Sequence, residues 1–160
     1  MTTHVIESYC PTKTIRAHQR AGLLFVGRRS PEKGLDIARG AAELVRVPLT
    51  VLTGQPHSIV QHHLAHAFAI LVPSRYDQSP KVVKEAHLQR CLVIATPATG
   101  IRDGRTGLCA DGTVEGFAAA ILRAYQMPTT ARLHLLDLAY QRAARRQAIA
   151  LRAELDLVTQ

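Results

Sequence analysis

"LLFVGRRSPEKGLDIARGAAEL", residues 23–44, decides the fold. Leu23 to Val26 form an unbroken apolar run, the pattern of a strand covered on both faces. Gly27 ends the run, and Arg28 and Arg29 come next. Ser30 then reads as a helix cap and Pro31 as a first helical residue. Leu35, Ala38, Ala42 and Val45 recur at helical spacing. Strand, turn and helix in that order predict one βα unit of a parallel sheet.

The same alternation continues along the chain. Strands are expected at 48–54, 68–74 and 91–97. "SIVQHHLAHA" predicts a short helix, and "SPKVVKEAHLQR" (79–90) repeats the cap logic with Ser79 and Pro80. Residues 103–109 read as a turn with a short extended piece, and residues 113–125 as a helix. A longer basic helix is expected over 131–157. The chain thus divides into a leader or linker at 1–21, an α/β domain at 22–127 with a Rossmann-like parallel sheet, and a basic helical segment at 128–160. Ligands of such sheets bind at the carboxyl ends of the strands.

Composition agrees with that class. Hydrophobic residues make up 47% of the 160, but aromatics only 4%, so the core must be aliphatic. The net charge of +8 favours an anionic partner: a phosphorylated small molecule, a nucleic acid or an anionic membrane surface. Cys10, Cys91 and Cys109 are odd in number and form no C-x-x-C, which predicts free thiols in a reducing, cytoplasmic setting. "MTTHVIESYC" has no basic segment followed by an apolar core, so no secretory signal is expected. His62 and His66 stand at i and i+4, and His63 and His66 at i and i+3, so two histidines can share a helical face, yet no adjacent cysteine or acid adds a third ligand. They read as a polar face, and no metal site is expected.

Arg28 and Lys33 bracket the turn after the first strand. Two cations where a helix begins suit a diphosphate, because the helix N-terminus adds unpaired N–H groups. The known phosphate loops do not fit. G-x-x-x-x-G-K-[ST] is absent, and no G-x-G-x-x-G follows a strand.

"GRRSPEKG" fits G-R-x-x-x-x-K-G, and the stretch around it resembles the start of the donor-binding domain of glycosyltransferase family 4. "FAILVPSRYDQSPKVVKEA" is similar to that family's strand, Pro-Ser and E-x(7)-E segment. "LVIATPATGIRDGRTGLCADGTVEGFAAAILRAY" resembles the family's next segment, so the likeness covers residues 22–125. It implies half of a GT-B fold and a retaining, hexosyltransferase-like transfer from a nucleotide-diphosphate sugar. By position, Arg28 and Lys33 would hold the diphosphate, and Asp77 would meet the donor-sugar hydroxyls with Gln78 and Ser79 beside it. Glu85 would accept hydrogen bonds from the ribose diol. Fixed cations would stabilise the departing diphosphate without a metal or other cofactor.

Several features depart from the family pattern. "GQPHSIVQHHLAHAFAILVPS" is short by about one βα unit, which predicts re-paired strands, an exposed apolar edge or a homo-oligomer. The usual Gly-Phe-Gly after the first acid is "QSP". The likeness is to the donor half alone, so the acceptor-binding half is expected to lie outside this chain. Donor binding without turnover is therefore expected of the chain alone, with a separate acceptor-domain protein as the missing wall. The basic last helix suggests peripheral membrane or partner contact. A non-catalytic nucleotide-sugar-binding or scaffold domain is the alternative. A nucleic-acid-binding module is disfavoured, because the basic residues lack interleaved aromatics.

Overall fold

Strands β1 (Leu23–Val26), β2 (Leu49–Leu52), β3 (Ala69–Val72), β4 (Leu92–Ala95) and β5 (Leu108–Cys109) form one sheet in a computed structural model that describes residues 19–76 and 80–159. All neighbours are parallel, and the order is β2-β1-β3-β4-β5. Every residue of β3 and β4 is buried, which is what their continuous apolar sequence requires. The expected Rossmann-like sheet is present. Residues 103–109, read as a turn with a short extension, supply its far edge strand.

Helices cover both faces. α1 (Leu35–Val45) and α4 (Val114–Gln126) pack on one face, with Leu35, Ala38, Phe117 and Ile121 in the core. Fully burying a side chain such as Phe117 or Ile121, both at 0% exposure, stabilises the fold by roughly 1.5–3 kcal/mol. Gly40 lets the two helices close up. A β-carbon there would lie 2.9 Å from a Val114 methyl group. α2 (His57–His66) and α3 (Lys81–Leu88) cover the other face through Val60, Leu64, Val83 and Ala86.

Both Ser-Pro helix starts need correction. Pro31–Lys33 is a single 3-10 turn, and α1 starts only at Leu35. The reason is Gly34, whose left-handed φ of 72° breaks the helical path. Its N–H donates to the Pro31 carbonyl, while its own carbonyl accepts from Ile37 and Ala38 to begin α1. Ser30 makes no side-chain cap bond. In α3, Pro80 is the extended cap residue itself, ahead of Lys81. Ser79 lies outside the described residues.

The short β2–β3 connection does not re-pair the sheet. Compared with the six-stranded doubly wound order 3-2-1-4-5-6, what is missing is the strand outside β2. Loss at an edge leaves the other neighbours unchanged. β2 becomes the edge, with only four residues and an exposed Thr50 between half-buried Leu49 and Val51.

α5 (Thr129–Val158) buries Leu135, Leu136, Ala139 and Ala143 and packs against α3. Arg90, just past α3, pairs with Asp137 at 2.9 Å and lies over the Tyr140 ring. From residue 148 to 159 the chain is exposed.

His87 ties α3 to the loop before β5, its Nε2–H donating to the Thr106 carbonyl at 2.7 Å. Burial pushes its pKa below the ordinary 6.5, against the Thr106 bond that raises it, and Arg142 and Arg146 push it further down. The fold therefore favours neutral His87 and binds fewer protons than the unfolded chain just below pH 6.5. Stability from this group is present above that pH and is lost as pH falls through the depressed value. The Tm of the wild type should fall more steeply than that of His87→Gln between pH 7 and pH 5. Parallel curves would show that His87 does not set this slope.

Candidate functional site

The chain runs from β1 outward to β2, then crosses back past β1 to β3 and continues to β5. The strand order thus reverses between β1 and β3. At such a point the loops leaving two adjacent strands diverge to opposite faces and open a crevice at their carboxyl ends. A small crevice lies there, lined by Val26, Lys33, Val72, Ser74, Pro80 and Val82.

Two loops build its walls. The β1–α1 loop carries Arg28 and Lys33, and the β3–α3 loop carries Ser74. They meet at Gly34, where a β-carbon would lie 2.4 Å from the Pro73 carbonyl oxygen. Thr96, after β4, supports the second loop: its hydroxyl donates to the Ser74 carbonyl at 2.6 Å. Arg75 joins the loops. Its backbone N–H donates to the Glu32 carbonyl at 2.8 Å. Its guanidinium donates to the Pro31 carbonyl and, at 3.3 Å, to the Asp36 carboxylate.

Arg28 is exposed and Lys33 is half-buried. Their common neighbourhood shows in Glu32. Its own backbone amide and the nearby Ser30 hydroxyl hold this carboxyl below the usual range, and Arg28 and Lys33 both add to the effect. The Ser30 hydroxyl lies near that carboxylate without normal hydrogen-bond geometry. Ser30 Oγ after β1 and Thr53 Oγ1 after β2 are buried hydroxyls with no hydrogen-bond partner among the described residues. Both come after strands at the end where the crevice opens, and buried polar atoms of this kind require a partner.

Glu85 stands three residues beyond Val82, hence on the adjoining surface of α3. Its side chain is 15% exposed, and Oε1 lies 3.4 Å from Nδ1 of His57, the first residue of α2. Asp77, Gln78 and Ser79 lie outside the described residues. The structure thus brings Lys33, Ser74 and the start of α3 to one crevice, whereas Arg28 and Glu85 are not among its lining residues.

The family model for "Glycosyl transferases group 1" matches residues 11–127, most of the chain. The chain belongs to this family. No curated protein matches the sequence significantly. Among solved structures, the C-terminal domain of a glycosyl transferase group 1 family protein (LpcC) from Francisella tularensis superimposes with a TM-score of 0.66 at 14% identity. That match covers 88% of this chain and 96% of the other. Anabaena Alr3699/HepE in complex with UDP and glucose gives a TM-score of 0.71 at 16% identity, and its complex with UDP-glucose gives 0.72 at 16%. Each of these covers 90% of this chain and 50% of the HepE chain, so the present chain spans about half the length of HepE.

In this group 1 domain, sequence reasoning missed Arg75 and His57. Arg75 had a visible signal, a cation directly after the Pro-Ser that ends β3. His57 had none, because its pairing with Glu85 depends on how α2 packs against α3. His66 Nδ1 bonds to the His62 carbonyl at 2.7 Å, and no cluster of three or more metal-ligating side chains occurs among the described residues. No described helix is long and apolar enough to cross a membrane. Burial pushes the Cys91 thiol up to about 12 and also raises that of Cys109; both are free. Neither thiol has the depressed pKa of a nucleophile.

Proposed function

We propose that the chain is the donor-binding half of a retaining glycosyltransferase of the family 4 type, holding a nucleotide-diphosphate sugar between β1 and β3. One observation carries this reading. The G-R-x-x-x-x-K-G turn sits at the point where strand order reverses, with Lys33 lining the crevice between β1 and β3. An exogenous diphosphate would bring two negative groups to that place. Arg28 and Lys33 would also stabilise charge on the departing nucleoside diphosphate, a role that requires no metal. Asp77, with Gln78 and Ser79, is assigned to the donor sugar. Glu85 is assigned to the ribose diol, since an ionised carboxylate accepts from two hydroxyls. His57 Nδ1 lies 3.4 Å from that carboxylate. We assign the acceptor wall to a separate domain or subunit. The free thiols suit a cytoplasmic setting.

Thermal denaturation with UDP, GDP, ADP and their sugars tests the reading. A ligand of the native state at about 100 times its Kd should add roughly 2.7 kcal/mol of stability. No stabilisation by any of them would sink it. Glu85 has its own test. The 2′,3′-dideoxy form of the preferred nucleotide should bind the wild type about 5–10-fold more weakly, given ~1–1.5 kcal/mol for a hydrogen bond. Glu85→Gln should narrow that difference. Equal binding of both ligands by the wild type would remove Glu85 from the site.

A further inference from the structure

We infer that Arg75 is a positioning residue for the donor diphosphate. It clamps the turn bearing Arg28 and Lys33 onto the β3–α3 loop, and so sets the preference for diphosphates over monophosphates. The inference rests on the donor-site reading above.

The geometry is specific. Arg75 reaches 44 positions back along the chain to the Pro31 carbonyl and 39 back to Asp36. Its N–H takes the Glu32 carbonyl, so two successive carbonyls of the 3-10 turn and one carboxylate in the first turn of α1 are all held by one residue. Lys33 comes immediately after. Its backbone is therefore held from the opposite wall of the crevice as well as by its own N–H, which donates to the Ser30 carbonyl at 3.0 Å. A planar guanidinium suits this role, since it presents several donors in a rigid fork, whereas an ammonium acts as a single point charge. Gly34 makes the clamp possible by letting the turn approach Pro73. A monophosphate needs one cation nearby. A diphosphate needs two cations at a set spacing, and that spacing depends on the turn. Substituting Arg75 leaves the main-chain bond to Glu32 in place, so the side chain is tested alone.

Two measurements decide the matter, made on the full chain with Arg75→Ala and Arg75→Lys. The first is amide hydrogen exchange of residues 28–35 without ligand. It should speed up in Arg75→Ala and, to a lesser degree, in Arg75→Lys. The second is affinity for UDP against UMP, with GDP and GMP or ADP and AMP if uridine nucleotides do not bind. Arg75→Ala should weaken diphosphate binding about tenfold and monophosphate binding less than about twofold, the loss of roughly one charge-assisted contact. Unchanged exchange overturns the clamp. Faster exchange with an unchanged diphosphate-to-monophosphate ratio overturns the positioning role. A wild type that binds no nucleoside diphosphate overturns the donor reading and this inference together, whatever the exchange shows. If Arg75→Ala does not fold, both measurements are made on Arg75→Lys, and the same results support or overturn the inference.

Discussion

Gly34→Ala should cost about 3 kcal/mol of stability and abolish donor binding. A left-handed backbone costs a non-glycine residue roughly 1–2 kcal/mol, and φ at Gly34 is 72°. The new methyl group would also lie 2.4 Å from the Pro73 carbonyl oxygen and 3.0 Å from two carbons of the Pro73 ring. Neither neighbour is a flexible side chain. Relief therefore requires the β1–α1 turn and the β3–α3 loop to separate, which opens the crevice and pulls Lys33 from Ser74. For a chain of this size, about 3 kcal/mol lowers Tm by roughly 10 °C. Differential scanning calorimetry measures the first effect, and titration with the nucleotide that stabilises the wild type measures the second. A variant with native Tm and native affinity would show that the turn tolerates a side chain at this point and that the close approach to Pro73 is not required.

Removing both cations is the second large effect. In Arg28→Ala/Lys33→Ala, nucleoside-diphosphate affinity should fall about 100-fold, close to 2.7 kcal/mol. Hydrogen bonds to charged groups contribute roughly 1.5–3 kcal/mol each, and solvent screening reduces the share of an exposed side chain. Arg28 is exposed and Lys33 half-buried. Lys33→Ala alone should therefore account for the greater part, about tenfold or more. The double variant should keep a Tm near that of the wild type, because neither side chain belongs to the core. Calorimetric titration at low and high salt provides the check, with the wild type losing affinity on added salt and the double variant less sensitive. Affinity unchanged by the double substitution would remove the diphosphate from this crevice.

How much of the site is legible in the sequence differs from residue to residue. Arg28, Lys33 and Gly34 stand in one short motif, so their proximity is nearly a local property. Glu85 falls on a helix after β3 by spacing, and local spacing offers Lys81 as its partner, whereas the contact formed, at 3.4 Å, is with His57. Ser30 and Pro31 show the limit of local rules. Serine before proline is a sound helix-start signal, yet a glycine three residues later takes the chain through the left-handed region and moves the start of the helix to Leu35.

Sequence by itself determined the alternation of strand and helix, the aliphatic core and the place of the cations after β1. Each of these arises from periodicity and residue chemistry within a few turns of chain. Tertiary structure alone decided that β1 and β3 are neighbours, that the shortened connection removes an edge strand rather than re-pairing the sheet, and that Arg75 holds the turn before Lys33. Those outcomes depend on contacts between segments tens of residues apart. No local pattern specifies them, because they arise only when helices on two faces compete to bury the same five strands.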